Sequence, residues 1–392
     1  MYLLKNCNLV PELTESTYNR QADVLLVGDR ISAILPCGSR TPEGCTVIDL
    51  DGKTLLPGLI DAHVHLHIAK DYPYPQMATP CSRAYDTLRF AQFLLDIGIT
   101  TVRDMGDDEN LPTIALRDAI KAGELTGPNI QAAGVTICPF EAGFQVAENI
   151  SAFISGPQEM RKMVRRMLMD GADVIKIYGT GSMLAVGSVP GRRILEEDEI
   201  KEAVKIAKLK GTYVACHCHG AEAIDVMIDC GVRTIEHASY ITEETCRKLD
   251  GRRDVGLVLT TAVLSDEALS KEQPMIRNRI EAARKDVFAA LKNAYTHDIL
   301  IGWGTDIPLK AYEACPYVEF KTRKEKLGFS NIDILKQATI NSAVLIGMDN
   351  EVGSIKEGKL ADLIIVEDDP VKDLEIMYKK PLHVIKSGCF IR

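Results

Sequence analysis

Residues 57–67 read Pro57-Gly58-Leu59-Ile60-Asp61-Ala62-His63-Val64-His65-Leu66-His67, and this stretch decides the fold. A short apolar run ends in three histidines that alternate with aliphatic residues. In a β-strand alternate side chains share one face, so His63, His65 and His67 point the same way. Two such imidazoles can bind one metal ion, and histidine is a common ligand of zinc and its neighbours. A polar strand end with stacked histidines is the alternative, which the preceding Pro-Gly-Leu-Ile-Asp sequence disfavours.

The middle of the chain repeats this arrangement of a short apolar run followed by a longer amphipathic segment. The runs are Leu59–His65, Thr100–Arg103, Asn129–Ala133, Val174–Tyr178, Tyr213–His217, Thr234–His237, Leu257–Thr260 and Ile299–Gly304. Helical periodicity is clear in Glu159–Asp170, Glu196–Lys210 and Met275–Tyr295. Strands that alternate with helices indicate parallel βα units. About eight such units favour an α/β fold of the closed (β/α)₈ TIM-barrel type over an open doubly wound sheet.

The two ends of the chain carry short β-like runs instead. These are Ala22–Val27, Arg30–Leu35 and Thr46–Leu50 near the start, and Leu363–Val366 and His383–Lys386 near the end. Turn-forming Gly, Pro, Asn and Asp residues separate them. We therefore predict a small β-sandwich domain built from residues 1–57 and 353–392, beside a barrel formed by residues 58–352.

The composition and the hydropathy pattern disfavour several classes of protein. A formal net charge of −9 disfavours binding to nucleic acid or to an anionic membrane surface. No segment approaches the length and apolarity of a membrane span, and residues 1–7 lack the pattern of a secretory signal. Eleven scattered cysteines fit reduced thiols better than a disulfide framework. We predict a cytoplasmic protein that binds neither nucleic acid nor membrane.

Lys176 lies in the apolar run Asp173-Val174-Ile175-Lys176-Ile177-Tyr178, where burial of an unpaired ammonium group is costly. A buried ion pair, or a strand end that reaches solvent, would explain its presence. Burial could instead lower its pKa, so that the neutral amine captures carbon dioxide as a carbamate that bridges two metals. The sequence alone does not decide between these interpretations.

The run Val214-Ala215-Cys216-His217-Cys218-His219-Gly220 places its two histidines on one strand face and its two cysteines on the other. This disfavours a Cys₂His₂ zinc site, because four ligands would have to converge from opposite sides of one strand. His217, which is deeper in the strand, is the candidate ligand. His219, nearer the loop, contacts substrate or lies at the rim.

His237 and Asp306 each close a later apolar run. Taken alone, His237 could be a structural histidine, and Asp306 a helix N-cap or turn aspartate. Like His63, Lys176 and His217, however, both lie at the C-terminal end of a predicted parallel strand, where barrel active sites form. Independent structural roles would not predict that coincidence.

These residues resemble the amidohydrolase superfamily, most closely its branch of imidazolonepropionase-like proteins and metal-dependent prolidases (Xaa-Pro dipeptidases). The similarity covers nearly the whole chain. It rests on Pro57–His65, Val174–Tyr178, Cys216–Gly220, Ile235–Ser239, Gly304–Asp306 and Gly353–Leu363. The last of these stretches resembles the family's return to the small β-domain.

The resemblance implies two divalent metal ions, with zinc as the default. By resemblance, six residues form the metal site: His63, His65, Lys176, His217, His237 and Asp306. The first two bind the more buried ion, the carboxylated lysine bridges the pair, and the next two histidines bind the second ion. Asp306 is implied as both a ligand and the catalytic proton shuttle for a metal-activated hydroxide. Proteins of this kind are commonly homo-oligomers.

The chain departs from this branch after the third strand. Many relatives carry a Gly-Gly-His loop there, whereas this chain reads Ile137-Cys138-Pro139-Phe140-Glu141-Ala142-Gly143 and lacks that histidine. The stretch Gly179-Thr180-Gly181-Ser182-Met183 is close to the family's glycine-rich loop without matching it. Substrate specificity is therefore not inherited from the resemblance.

Candidate substrate-binding residues are Tyr240, His219 and Tyr178. Tyr240, just beyond His237, is the candidate for binding a substrate carboxylate. Arg192 and Arg193 could serve the same purpose or be solvated.

The leading hypothesis is hydrolysis of an amide or peptide bond next to a carboxylate-bearing residue, in a dipeptide or an N-acyl amino acid. The alternatives within the enzyme class are hydrolysis of a cyclic amide or lactone, including imidazolonepropionate, and then deamination. From a different class, the chain could be a non-catalytic metal-binding relative. Retention of all six candidate ligands disfavours that reading.

Overall fold

Both ends of the chain contribute strands to one eight-stranded sheet. The computed structural model describes residues 1–69, 78–141, 150–183, 189–270 and 274–391. The strands of this sheet are β1 (Tyr2–Leu9), β2 (Gln21–Val27), β3 (Arg30–Leu35), β4 (Thr46–Asp49), β5 (Thr54–Pro57), β16 (Leu363–Val366), β17 (His383–Lys386) and β18 (Cys389–Phe390). Their order is β18-β17-β16-β5-β1-β2-β3, with β4 also paired to β1. The antiparallel pairing of β16 with β5 joins the two ends of the chain.

Strand β1 was not among the predicted strands, and a local irregularity explains why. Its pairing register with β2 shifts between Leu4 and Cys7, and Asn6 in that interval has a φ of 54°. The bulge interrupts the alternation of apolar and polar residues by which a strand is recognised in a sequence.

The middle of the chain forms two parallel sheets. Their strands are β6 (Leu59–Val64), β7 (Ile99–Asp104), β8 (Asn129–Ala132), β9 (Thr136–Pro139), β10 (Ser151–Ile154), β11 (Ile175–Tyr178), β12 (Val214–Cys218), β13 (Thr234–His237), β14 (Gly256–Leu259) and β15 (Ile301–Trp303). One sheet has the order β6-β7-β8 and the other β10-β9-β11-β12-β13-β14-β15. The predicted α/β class with parallel strands is confirmed, and β9 and β10 are additional to the predicted runs.

Helices connect most of the parallel strands. They are α1 (Pro80–Asp96), α2 (Pro112–Lys121), α3 (Pro157–Met169), α4 (Glu197–Leu209), α5 (Ala221–Asp229), α6 (Glu243–Leu249), α7 (Asp266–Leu269), α8 (Pro274–Tyr295), α9 (Leu309–Ala314), α10 (Val318–Thr322), α11 (Asn331–Lys336) and α12 (Ser342–Ile346). The helices predicted from periodicity correspond to α3, α4 and α8. A capping box of Glu196 and Glu199 starts α4. Within the described ranges, no helix combines the length and apolarity needed to cross a lipid bilayer.

Backbone contacts connect both outer strands of the three-stranded sheet, β6 and β8, to the seven-stranded sheet. The amide of Asp306, just after β15, donates to the carbonyl of His63 in β6 across 2.9 Å. The amide of Asp173, just before β11, donates to the carbonyl of Ala132 in β8 across 2.8 Å. At Gly304 a β-carbon would lie 2.7 Å from the Cβ of His63, so a residue without a side chain is required for this approach.

The carboxylate of Asp61 reinforces the contact between β6 and the end of β15. It is fully buried and accepts hydrogen bonds from the Thr305 hydroxyl (2.7 Å) and the Tyr312 hydroxyl (2.8 Å). It also accepts from the backbone amide of His63 at 3.1 Å. A buried carboxylate needs such donors because it has lost its hydration.

We expect Tyr312→Phe to lower the free energy of unfolding by about 1–3 kcal/mol, because one donor to the buried Asp61 carboxylate is removed. Chemical denaturation of the metal-loaded protein measures this change. Tyr85→Phe is the control, since Tyr85 is 74 % exposed and should leave stability unchanged. Equal stability of the two variants would contradict the role assigned to the Tyr312 hydroxyl.

Candidate metal centre

Predicted ligands from four separate strand ends meet at the C-terminal ends of the parallel strands. Donor atoms of His63, His237 and Asp306 all lie within 4.8 Å of one another, and so do those of His217, His219 and His237. His237 belongs to both groups and therefore connects them. Two adjoining groups of this kind could hold two metal ions.

Asp306 lies between His63 and His65 on one side and His237 on the other. Its Oδ1 is 3.4 Å from Nε2 of His65 and 3.7 Å from Nε2 of His63. Its Oδ2 is 4.0 Å from Nδ1 of His237. The carboxylate thus faces imidazole nitrogens on both sides.

The backbone turns sharply where these strands end. His237, Ala238 and Asp306 have φ values of 69°, 50° and 56°, in the left-handed region that residues other than glycine rarely adopt. Strained backbone of this kind is concentrated at functional sites, where the surrounding structure holds it in place. Here the turns end β13 and β15 at the site.

Hydrogen bonds fix the tautomers of three histidines. Nδ1 of His63 donates to the Glu236 carboxylate across 2.7 Å, and Nδ1 of His65 donates to the carbonyl of Gly106 across 3.0 Å. Nε2 of His217 lies 3.3 Å from the carbonyl of Gly181, to which it donates. In each ring the second nitrogen is left as a lone-pair donor, which is the arrangement found in metal-bound histidines.

Burial keeps these imidazoles neutral. Desolvation lowers the pKa values of His63, His217 and His237 well below the usual value, and the charge of Lys176 adds to the effect in each case. Burial also lowers the pKa of His65 to about 3. Only a neutral imidazole binds a metal, so the rings are in the state that coordination requires.

The side chain of Lys176 is buried near these groups without a direct partner. It is 2 % exposed, and it forms no hydrogen bond or salt bridge with any residue that the structure describes. Burial lowers its pKa, opposed by the negative charges of Glu236 and Asp306. Among the described residues, Lys176 therefore does not form the buried ion pair that was the alternative explanation of its presence. Its charge acts on His63, His217 and His237, so it lies near donors of both groups, as the bridging role implied by the resemblance requires.

Asp306 itself has an altered protonation equilibrium. Burial raises the pKa of its carboxyl group to about 7, against the opposing effect of Lys176. Its side chain remains 19 % exposed and lines the cleft above the site, so it can be reached from that cleft.

Glu236 and Arg103 belong to the surroundings of the site and were missed in the sequence. Both side chains are fully buried, and the guanidinium donates to both carboxylate oxygens, at 2.8 and 3.0 Å. Burial alone would raise the pKa of Glu236, but Arg103 and the bond from His63 lower it to about 2. The Thr234 hydroxyl also donates to Glu236 at 2.6 Å. The sequence did contain a signal for Glu236: like Lys176, it is a charged residue within an otherwise apolar strand, where burial requires a partner.

The predicted substrate-binding residues lie at different distances from the donors. The Tyr178 ring centroid is 4.6 Å from that of His217. His219 stacks on His237 with centroids 5.0 Å apart, and its Nδ1 is 2.7 Å from the Ser239 hydroxyl. Tyr240 is half-buried and packs against the apolar core.

The remaining candidates lie outside the donor groups. His67 is buried beside His65, with ring centroids 5.9 Å apart, and its Nδ1 has no hydrogen-bond partner among the described residues. Arg193 pairs with Glu222 at 3.1 Å, whereas Arg192 is exposed. Residues 142 and 143 of the stretch that replaces the Gly-Gly-His loop lie outside the described residues. Cys216 and Cys218 are fully buried in the apolar core, as the facing argument predicted.

Comparisons with known proteins identify the family of this chain. A family model described as the amidohydrolase family matches residues 54–390. Ochratoxinase from Aspergillus niger is 24 % identical over 366 residues, which cover 85 % of this chain and 75 % of that protein. Adenine deaminase from Serratia proteamaculans (strain 568) is 24 % identical over 372 residues, covering 93 % of this chain and 53 % of that protein.

Solved structures are also similar over the whole chain. A Xaa-Pro dipeptidase with methionine bound in its active site has a TM-score of 0.86 and 27 % identity, covering 100 % of this chain and 99 % of that one. A prolidase complexed with N-methylphosphonate-L-proline has a TM-score of 0.86 and 24 % identity over the same shares of the two chains.

We expect Glu236→Gln to weaken metal binding by about 10–100-fold, because the partner of His63 loses its charge and Arg103 loses its counter-ion. Competition with a chromogenic chelator measures the affinity. Asp362→Asn is the matched control: Asp362 is a buried carboxylate paired with Lys386 at 3.1 Å and contacts no candidate ligand. Unchanged metal affinity in Glu236→Gln would show that His63 does not depend on this carboxylate.

Proposed function

The chain belongs to the amidohydrolase family, and from that premise we propose that it hydrolyses an amide or peptide bond next to a carboxylate-bearing residue, in a dipeptide or an N-acyl amino acid. It is a metal-dependent hydrolase of carbon–nitrogen bonds. The observation that carries the proposal is the convergence of neutral histidines and Asp306 near an unpaired buried lysine. The names of the prolidase and the Xaa-Pro dipeptidase support peptides over other amides.

The proposed ligand set has six members: His63, His65, Lys176, His217, His237 and Asp306. We assign His63 and His65 to one ion, and His217 and His237 to the other. A carboxylated Lys176 would bridge them, which would give the buried amine the partner it lacks among the described residues. Zinc is the metal we propose, since imidazole and carboxylate donors suit it.

Two divalent cations bound by these donors would lower the pKa of a water molecule and polarise the scissile carbonyl. The carboxylate of Asp306 would accept a proton from the attacking water as the water oxygen adds to the amide carbon. The same carboxyl group then donates the proton to the leaving nitrogen as the carbon–nitrogen bond breaks. One amide and one water thus become one carboxylic acid and one amine.

The substrate carboxylate is proposed to bind near Tyr240. The backbone amide of Tyr240 donates to the carbonyl of His219 across 2.9 Å, so the two residues are held together. The positive charge of Arg279 acts on both His219 and Tyr240. Tyr178 and His219 complete the proposed contacts, since both lie against His217.

The proposal includes an architecture. The parallel strands form a closed (β/α)₈ barrel of residues 58–352, supported by the backbone contacts that connect β6 and β8 to the seven-stranded sheet. Residues 1–57 and 353–392 form the small β-sandwich domain, supported by the pairing of β5 with β16. A homo-oligomer and a cytoplasmic location stay predictions from the sequence.

Zinc-loaded protein should cleave members of a library of dipeptides and N-acyl amino acids, whereas chelator-stripped protein should cleave none. Mass spectrometry of the products makes the comparison.

Asp306→Asn should lower kcat by about 10²–10⁴-fold, because the proton carrier is lost. Asp225→Asn is the control, since Asp225 accepts a hydrogen bond from Thr245 away from the site. If no amide is cleaved with metal bound, cyclic amides or lactones become the better hypothesis.

Lys176 should carry a carbamate when both metals are bound. Protein reconstituted with zinc and ¹³C-bicarbonate is expected to show a carbamate carbon signal by NMR, and Lys176→Arg should lack it because a guanidinium does not form one. A wild-type protein that binds two zinc ions without this signal would exclude the bridging role.

A further inference from the structure

The cleft above the candidate metal centre has two ends of different chemistry. One end is lined by His217, His219, His237 and Asp306. The other end is lined by aliphatic side chains, namely Val263, Leu264, Ile280, Val287 and Leu291. A substrate held by its amide at the first end must place a neighbouring group at the second.

A single rigid helix supplies most of the apolar wall. Ile280, Val287 and Leu291 of α8 are spaced seven and four residues apart, so they share one face of that helix. They are 2 %, 1 % and 2 % exposed, so their positions are set by packing. Leu264 faces them from the turn that follows β14.

The charge distribution favours an uncharged occupant. Among the described residues that line this cleft, Asp306 is the single carboxylate, the three histidines are neutral, and there is no lysine or arginine. A charged group placed against the aliphatic wall would lose its hydration without gaining a partner. Arg279 is adjacent in sequence to Ile280 but acts on His219 and Tyr240, where the substrate carboxylate is proposed to bind.

We propose that the aliphatic end of the cleft is the specificity pocket of this enzyme, which accepts an uncharged apolar side chain attached beside the scissile amide. The proposal rests on the proposed function, because it takes the metal centre as the place where the amide binds. It names the substrate class: dipeptides and N-acyl amino acids with a short alkyl side chain, in preference to polar or charged ones, because the cavity volume is about 40 Å³.

Alkyl hydroxamates test the pocket without requiring any amide to be cleaved. Calorimetry on the zinc-loaded full chain should show that affinity increases about fourfold for each methylene added from acetohydroxamate onward, until the pocket is filled. A hydroxamate of equal length that ends in a carboxylate should lose this gain. Affinities that do not depend on chain length, or no binding by the whole series, would overturn the proposal.

Two substitutions on α8 locate the effect. Ile280→Ala should weaken binding of butanohydroxamate about tenfold and leave acetohydroxamate unchanged, because only the longer probe reaches the wall. Ile276→Ala is the matched control, since Ile276 packs against the core one turn earlier and does not line the cleft. Acetohydroxamate binding reports whether each variant keeps an intact metal site. Equal effects of the two variants on the whole series would overturn the assignment to this face.

The outcomes separate the pocket from the proposed function. If chain length controls hydroxamate affinity but no dipeptide or N-acyl amino acid is cleaved, the pocket stands and the proposed substrate class fails. If such amides are cleaved with the same kcat/KM whether or not they carry an apolar side chain, the proposed function stands and the proposed specificity pocket is excluded.

Discussion

The contact between the end of β15 and β6 is the constraint on which the site depends. The amide of Asp306 donates to the carbonyl of His63, and the Asp61 carboxylate accepts from Thr305, 244 residues away in the sequence. This contact brings the first and last of the parallel strands together, and with them the carboxylate and the histidines that face it. The group formed by His63, His237 and Asp306 exists only because these distant segments meet.

A second constraint is the charge buried beneath the donors. A fully buried arginine and glutamate lose a large hydration energy, and their attraction offsets it only when further hydrogen bonds satisfy both groups. Here Arg103 also donates to the carbonyl of Ala62 at 2.7 Å and to the Thr234 hydroxyl at 3.0 Å. The pair therefore connects β6, β7 and β13 beneath the site and orients the ring of His63. Its role is one of position, and it does not touch the cleft.

Local patterns in the sequence predicted most of the parallel strands and three of the helices, because burial imposes periods of two and 3.6 residues. They also predicted that candidate ligands would lie at strand ends, and the structure brings donor atoms of His63, His237 and Asp306 within 4.8 Å of one another, with His217 beside His237. Strand β1 was missed because a bulge breaks its alternation. Glu236 was missed because its partners, Arg103 and His63, come from other strands, and no local pattern reports such a pairing.

The shared sheet at the two ends of the chain also has a consequence for biosynthesis. Strand β5 pairs with β1 on one side and with β16 on the other, and β16 begins at Leu363. While the ribosome is still translating the middle of the chain, β5 therefore presents an unpaired edge with the apolar residues Leu55 and Leu56. Strand β5 therefore cannot complete its pairing until β16 has been synthesised. Until then its free edge is exposed to pairing with other chains.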